Sequence, residues 1–266
     1  MEWSYTGLNG PDNWAKLYTA ACGSRQSPID IETGCLTPHS ARTGQKLNWR
    51  YSPNELITLK NTGHGWQINA DDSMSEVSGG PLNCDYELSQ VHCHWGEEDA
   101  EGSEHTVDGK HYPGELHLVH WNKTNYCSVE EAIKHPDGLC VFAVFLKVGN
   151  THHELQKVVE KIPEIIHKGE SANLSVPLNI KNILPKKHAY WSYMGSLTTP
   201  PCLECVIWII FSEAIEVSHE QLEAFRTLRS HPQEMCKDMN CCDGQLKHNY
   251  RPTAPRGERV IVASDS

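Results

Sequence analysis

No run of about eighteen apolar residues occurs in this chain of 266 residues, so no stretch of it is long enough to cross a membrane as a helix. The longest apolar stretches, Leu139 to Leu146 and Val206 to Phe211, read instead as buried strands. Clusters of lysine and arginine are missing too. With 23 basic against 34 acidic residues the formal charge is −11, which excludes the basic patches that nucleic acid requires and mainly favours solubility. Internal repeats and low-complexity linkers are absent, which predicts one domain over residues 1–266 with ample core. The His-Glu-x-x-His pattern of common metallopeptidases is absent. Neither a signal peptide nor an apolar anchoring tail can be recognised, so the chain reads as a mature or trimmed form with Met1 as an added residue.

Cysteine, in contrast, is abundant. Eleven cysteines, with Cys241 beside Cys242, exceed the number expected of an ordinary cytosolic enzyme and predict an oxidising compartment; the odd count leaves at least one unpaired. The sequons at Asn122 and Asn173 are glycosylation candidates that agree with an extracellular location, secreted or anchored at the cell surface.

Short apolar or alternating runs recur between turn signals: Leu56 to Lys60, Trp66 to Asn69, Leu88 to Trp95, Leu116 to Trp121, Leu139 to Val148, Tyr190 to Tyr193 and Val206 to Phe211. They predict a mainly β fold. Helical signals are few and peripheral. Ser218-His-Glu-Gln221 and Ser128-Val-Glu-Glu131 form capping boxes, and a third helix is expected from about Glu154 to Ile162, stopped by Pro163. The stretch from Met235 to Gln245, rich in Cys, Asn and Asp, reads as an inserted surface loop.

Sixteen histidines in this length would produce about one His-x-His by chance. In Gln90-Val91-His92-Cys93-His94-Trp95-Gly96, however, the pair lies on a predicted strand, so His92, His94 and Gln90 share one face while Val91, Cys93 and Trp95 take the other. In Glu115-Leu116-His117-Leu118-Val119 the same period sets Glu115 beside His117. Each segment thus carries a hydrogen-bond acceptor two residues from a histidine, as metal-bound imidazoles require for their other N–H. Three neutral imidazoles leave zinc its full charge and an open fourth position for water, the arrangement of a catalytic site.

These residues belong to a wider pattern. With Trp3-Ser-Tyr5, Gly10-Pro11, Arg25-Gln-Ser-Pro-Ile-Asp30, Asn61-Thr-Gly-His64, Gly102-Ser-Glu-His-Thr-Val-Asp-Gly109, Gly195-Ser-Leu-Thr-Thr-Pro-Pro201 and Asn249-Tyr-Arg-Pro252, the chain resembles the α-class carbonic anhydrases over nearly its whole length. The likeness implies a single domain with short peripheral helices and a large, mostly antiparallel sheet, with a zinc cleft on one face. It also implies reversible hydration of carbon dioxide to bicarbonate and a proton through zinc-bound hydroxide, inhibition by anions and sulfonamides, and side activity on activated esters. Zinc in such a site brings the pKa of bound water to about 7, a value that belongs to carbonic anhydrases themselves rather than to any reading of this chain.

By resemblance, His92, His94 and His117 hold Zn2+, Gln90 orients His92 and Glu115 orients His117. Glu104 accepts the Thr198 hydroxyl proton, which obliges Thr198 to accept from the nucleophile. Thr199 helps hold bicarbonate, and Val119, Val141, Leu197 and Trp208 form the apolar wall for carbon dioxide. Release of a proton from a group of pKa about 7 without help is limited to roughly 10³ per second, so a shuttle is needed. His64 resembles that shuttle, with Tyr5, Asn61, Thr62 and Gln67 lining the water path. Family members often carry asparagine where Thr62 and Gln67 stand. Cys22 and Cys202 resemble the disulfide partners of extracellular members. Two other readings, an acatalytic binding module of the same fold and a zinc hydrolase, are opposed respectively by the intact histidine trio and by the missing metallopeptidase motif.

Overall fold

The computed structural model describes residues 3–38, 46–70, 73–237 and 244–264. Most of the Met235 to Gln245 stretch, with Cys241 and Cys242, therefore lies outside the described residues. Within them the strands are β1 (Asp30–Ile31), β2 (Thr37–Pro38), β3 (Asn48–Arg50), β4 (Leu56–Asn61), β5 (Trp66–Asn69), β6 (Glu76–Ser78), β7 (Tyr86–Trp95), β8 (Thr106–Val107), β9 (Gly114–Trp121), β10 (Leu139–Val148), β11 (Ser171–Leu178), β12 (Tyr190–Gly195), β13 (Val206–Val217) and β14 (Val262–Ala263). The helices are α1 (Pro11–Leu17), α2 (Val129–Ala132), α3 (His153–Val159) and α4 (His219–Arg226).

One twelve-stranded sheet dominates, in the order β11-β4-β5-β7-β9-β10-β13-β12-β14-β2 with β3 and β6 beside it, while β1 and β8 pair separately. The sheet is mixed. Its neighbours β7, β9 and β10 are antiparallel, but β10 and β13 run parallel, Val141 opposite Trp208, with a register shift between Val144 and Leu146. Their apolar runs explain why these strands sit centrally: β10 is buried from Leu139 to Leu146, as a strand covered on both faces must be.

Strand parity separates two cores. Val91, Cys93, Trp95, Leu116 and Leu118 face a large cluster with Phe142, Phe211 and Phe225. Val119, Val141 and Trp208 face a second cluster, on the side where His92, His94 and His117 emerge. Helices α3 and α4 cover the first core through Leu155, Val158, Leu222 and Phe225. Helix α4 has the expected capping box, with the Ser218 side chain accepting from Gln221 N–H, and Ser128 caps α2 by accepting from Glu131 N–H. The expected third helix is shorter than its periodicity implied: α3 closes at Val159 and a 3₁₀ turn, Ile162–Glu164, follows with Pro163 in it.

The sequon at Asn122 does not mark a glycan site. Asn122 is fully buried, and its amide donates to the Asp137 carbonyl and carboxylate at 3.3 Å, so a sugar could not be attached in this fold. Asn173, by contrast, is exposed on the edge strand β11, with its Oδ1 accepting from Thr58.

Candidate metal centre

The antiparallel register of β7 and β9 puts His92 directly opposite His117, and the period of two brings His94 to the same face. His92 Nε2 and His94 Nε2 lie 3.0 Å apart, His94 Nε2 and His117 Nδ1 3.1 Å, and His117 Nδ1 and His92 Nε2 3.2 Å. These short separations are not hydrogen bonds. The other nitrogen of each ring is already a donor: His92 Nδ1–H to Gln90 Oε1 at 2.8 Å, His94 Nδ1–H to the Asn249 carbonyl at 2.7 Å, and His117 Nε2–H to Glu115 Oε1 at 2.7 Å. A neutral imidazole carries one N–H, so the three nitrogens that face one another present lone pairs only. Burial, reinforced by the neighbouring imidazoles, holds His92 well below the ordinary histidine value, and burial lowers His94 too although Glu104 opposes it. Both shifts favour the neutral, lone-pair form of His92 and His94.

Three converging lone pairs repel unless a cation sits among them. A tetrahedral ion with metal–nitrogen bonds of about 2.0–2.1 Å would set its ligand nitrogens about 3.3–3.4 Å apart, close to the spacing found. A further acceptor aims at the same place. Glu104 is fully buried, its Oε1 accepts from Arg251 N–H at 2.9 Å, and its Oε2, without a hydrogen-bond partner, lies 3.4 Å from His94 Nε2. Three lone pairs at one point fit a bound metal ion, with the orphaned Glu104 oxygen beside two of them.

Glu115, His105 and His117 form a second group of closely spaced ligand types, but its atoms are already paired with one another. Glu115 accepts from His117 Nε2–H and His105 Nδ1–H through Oε1 and from His105 N–H through Oε2. Burial alone would raise its pKa. The interactions with His105 and His117 outweigh that and hold it well below the usual carboxylate range. With His105 Nδ1–H engaged, Tyr193 OH donates to His105 Nε2 at 2.7 Å, and the Ser27 hydroxyl donates to Tyr193 at 2.8 Å. Ser27 and Ser196 then exchange hydrogen bonds of 2.9 and 3.0 Å.

Of the other residues expected at the site, Val119, Val141 and Trp208 share one buried cluster, Leu197 packs against it, and the Trp208 ring lies 4.9 Å from that of His117. A cavity of about 200 Å³ is lined by His92, His94, Gln90 and Thr199, together with Tyr5, Thr62, His64 and Gln67. Two of the rim side chains bond within their own segments: Gln67 Nε2–H donates to Asn69 Oδ1, and the Thr62 hydroxyl donates to Gly65 O. His64 stacks on Trp3 with ring centroids 3.7 Å apart, and burial there lowers its pKa to about 4.

Three expectations are corrected. Asn61 does not line the water path: it is fully buried, and its amide donates to the carbonyls of Ile165, Ile166 and Arg229 while its Oδ1 accepts from Gly63 N–H, so it anchors the loop from behind. Thr198 is buried but does not donate to Glu104, whose second oxygen turns to the histidine trio instead. Cys22 and Cys202 are free thiols. The Cys22 thiol points to the Ala15 carbonyl at 3.1 Å, whereas Cys202 is buried beside Trp14 and its thiol is pushed up to about 11 by that burial. Sequence reasoning missed Asn249, Arg251, His105, Tyr193 and Ser27 as supports of the site. The motifs above contain all of them but Tyr193, which falls in a predicted strand, and no spacing rule ties them to the histidines.

Comparison with known proteins agrees with this geometry. Residues 9–265 match the family model of eukaryotic-type carbonic anhydrase, and the chain belongs to that family of enzymes. It is similar to carbonic anhydrase 1 of Monodelphis domestica, 41% identical over 270 residues that cover 99% of this chain and 98% of that protein. Carbonic anhydrase 1 of Mus musculus and carbonic anhydrase 3 of Sus scrofa are each 40% identical, again over 99% of this chain and 98% of their own length.

Replacing Glu115 by Gln should weaken metal binding about 10–100-fold, because the amide can present N–H where His117 needs an acceptor. Chelator competition on the folded variant measures this, and an unchanged affinity would remove Glu115 from the centre's support. Because both thiols are free, a reductant should move the thermal midpoint of Cys22→Ser and of the unaltered protein alike. A drop of several degrees on reduction that Cys22→Ser abolishes would restore the bridge between Cys22 and Cys202.

Proposed function

We propose that this enzyme hydrates carbon dioxide reversibly at a zinc ion held by His92, His94 and His117. The observation that carries the proposal is the convergence of three unprotonated ring nitrogens whose partner nitrogens are all engaged as donors. Neutral imidazoles in a tetrahedral set suit zinc among the common dications. Bound there, the ion supplies Lewis acidity that makes a water molecule nucleophilic near neutral pH. The rest is done by the chain. Gln90, the Asn249 carbonyl and Glu115 fix the ring orientations and tautomers, keeping the lone pairs aimed at one point. A carboxylate at Glu104 can only accept, so a hydroxyl brought to its unpartnered Oε2 must donate to it. Val119, Val141, Leu197 and Trp208 offer an apolar wall to an uncharged substrate, and Thr199 a polar neighbour to bicarbonate.

His64 is proposed as the proton shuttle, its lone-pair ring nitrogen accepting the proton through water beside Tyr5, Thr62 and Gln67. Stacked on Trp3, where burial lowers its pKa to about 4, it is neutral at neutral pH and offers a lone pair to an incoming proton. An extracellular location rests on Asn173, exposed on the edge strand, and not on the cysteine count, because the eight described cysteines are free thiols.

Stopped-flow hydration of carbon dioxide, with and without a zinc chelator and with a primary sulfonamide, tests the proposal. Loss of hydration on chelation, its return with zinc and inhibition by the sulfonamide are expected. Protein that carries zinc yet shows no sulfonamide-sensitive hydration would be a binding module instead. His64→Ala should lower turnover about tenfold or more in weak buffer, and small imidazoles should restore much of it. Unchanged weak-buffer turnover would exclude His64 from proton transfer.

A further inference from the structure

We infer that Asn249 is a positioning residue for proton transfer: its side-chain amide locks the His64 loop to the metal-ligand strand, so that one buried residue fixes both the shuttle and a ligand. The inference rests on His64 being the shuttle and names what holds it in place.

Asn249 is 1% exposed and every polar atom it has is used. Its carbonyl accepts from His94 Nδ1–H at 2.7 Å, and its N–H donates to the Trp95 carbonyl at 3.1 Å. Its Oδ1 accepts from Trp95 N–H at 2.7 Å, while Nδ2 donates to the carbonyls of Cys93 at 3.0 Å and His64 at 2.9 Å. The amide orientation is dictated by its partners, since a backbone N–H needs an acceptor and two carbonyls need donors. Asn249 thus grips three consecutive residues of the ligand strand, and its remaining donor reaches across to His64.

The other bonds of the shuttle loop cannot do this. Thr62 N–H and the Thr62 hydroxyl bond Gly65 O, and His64 N–H bonds the Thr62 hydroxyl, so they shape the turn without fixing its distance from β7. Asn61 ties the base of the loop to the opposite side, at Ile165, Ile166 and Arg229. Among the described residues, the bond from Asn249 is the one that joins the His64 peptide group to another part of the chain. The loop is also pressed against that amide: a Cβ on Gly65 would come within 2.7 Å of Asn249 Nδ2. Without the amide, the His64 and Cys93 carbonyls lose a donor in a buried setting, and the loop has reason to move toward water. The bond to His94 comes from the backbone carbonyl, which any side chain at this position retains, so shuttle and metal should respond differently.

Asn249→Ala in the metal-loaded enzyme should lower weak-buffer kcat about 3- to 10-fold more than it lowers kcat/KM for carbon dioxide. In a His64→Ala background it should cause no further loss. The His64 ring, followed by NMR titration, should rise from its depressed pKa toward the ordinary histidine value as its burial against Trp3 is relieved. Equal falls in kcat and kcat/KM, an added loss in the His64→Ala background or an unmoved His64 titration would each overturn the inference. Asn249→Asp keeps the side-chain volume and the acceptor for Trp95, and its carboxylate cannot donate to His64, so it carries the same test if the alanine variant does not fold. Should His64→Ala leave weak-buffer turnover intact, the shuttle reading fails by itself, and the ring titration still decides whether Asn249 holds His64 in place.

Discussion

The whole site depends on one electrostatic constraint: three lone pairs are held within 3.2 Å of one another. Free imidazoles would rotate away or take up a proton. Here rotation would break the hydrogen bond on the far side of each ring, and protonation is opposed by burial and by the charge it would place beside the other two rings. Much of the surrounding structure follows from keeping those far-side acceptors in position. Gln90 and Glu115 do so by strand parity, each two residues from its histidine. Asn249 does so from a segment 155 residues away.

That last distance shows how the active-site face is assembled. Its inner layer is local, two adjacent strands with a register that puts His92 opposite His117. Its outer layer comes from the chain's extremities. Residues 249–251 provide the carbonyl for His94 and the N–H for Glu104, and the Arg251 guanidinium bonds Gln26 Oε1 and the Ser27 carbonyl while lying over the Trp14 ring. Ser27 meets both Tyr193 and Ser196. The N-terminal and C-terminal segments therefore close over the sheet together.

What was legible in the sequence divides along the same line. The central strands were read nearly to their ends because burial on both faces leaves unbroken apolar runs; β10 matched from Leu139 to Val148. Strand β13 runs on to Val217, past a polar stretch at Ser212 and Glu213 that breaks the run, because β10 still pairs with it beyond the register shift. Edge strand β11 was missed: its buried positions Ala172 and Leu174 are interrupted by exposed residues, and Pro177 demotes it. The ligand trio and its nearest orienters were legible from a period of two. Asn61 was misread since a loop asparagine beside a shuttle histidine gives no sign of which way its amide points, and three backbone carbonyls on two other segments decide that. Asn122 shows the same limit, a sequon whose amide is needed inside.

The missing bridge between Cys22 and Cys202 raises the question of what restrains the loop that carries Thr198. The structure answers with polar contacts in the same region. Glu204 accepts from Arg25 N–H at 2.7 Å and from Gln26 Nε2–H at 3.2 Å, Gln26 also donates to the Cys202 carbonyl, and the Ser27–Ser196 pair closes the other end. Burial and these hydrogen bonds both act on Glu204, and the bonds win, holding its carboxyl below the usual range. A covalent link would constrain the unfolded chain as well, whereas these contacts act only in the folded protein, and those to Glu204 are strongest while it is ionised. The geometry of the Thr198 loop is thus tied to the same closure of the chain's N-terminal segment over the sheet that aligns Glu104 through Arg251.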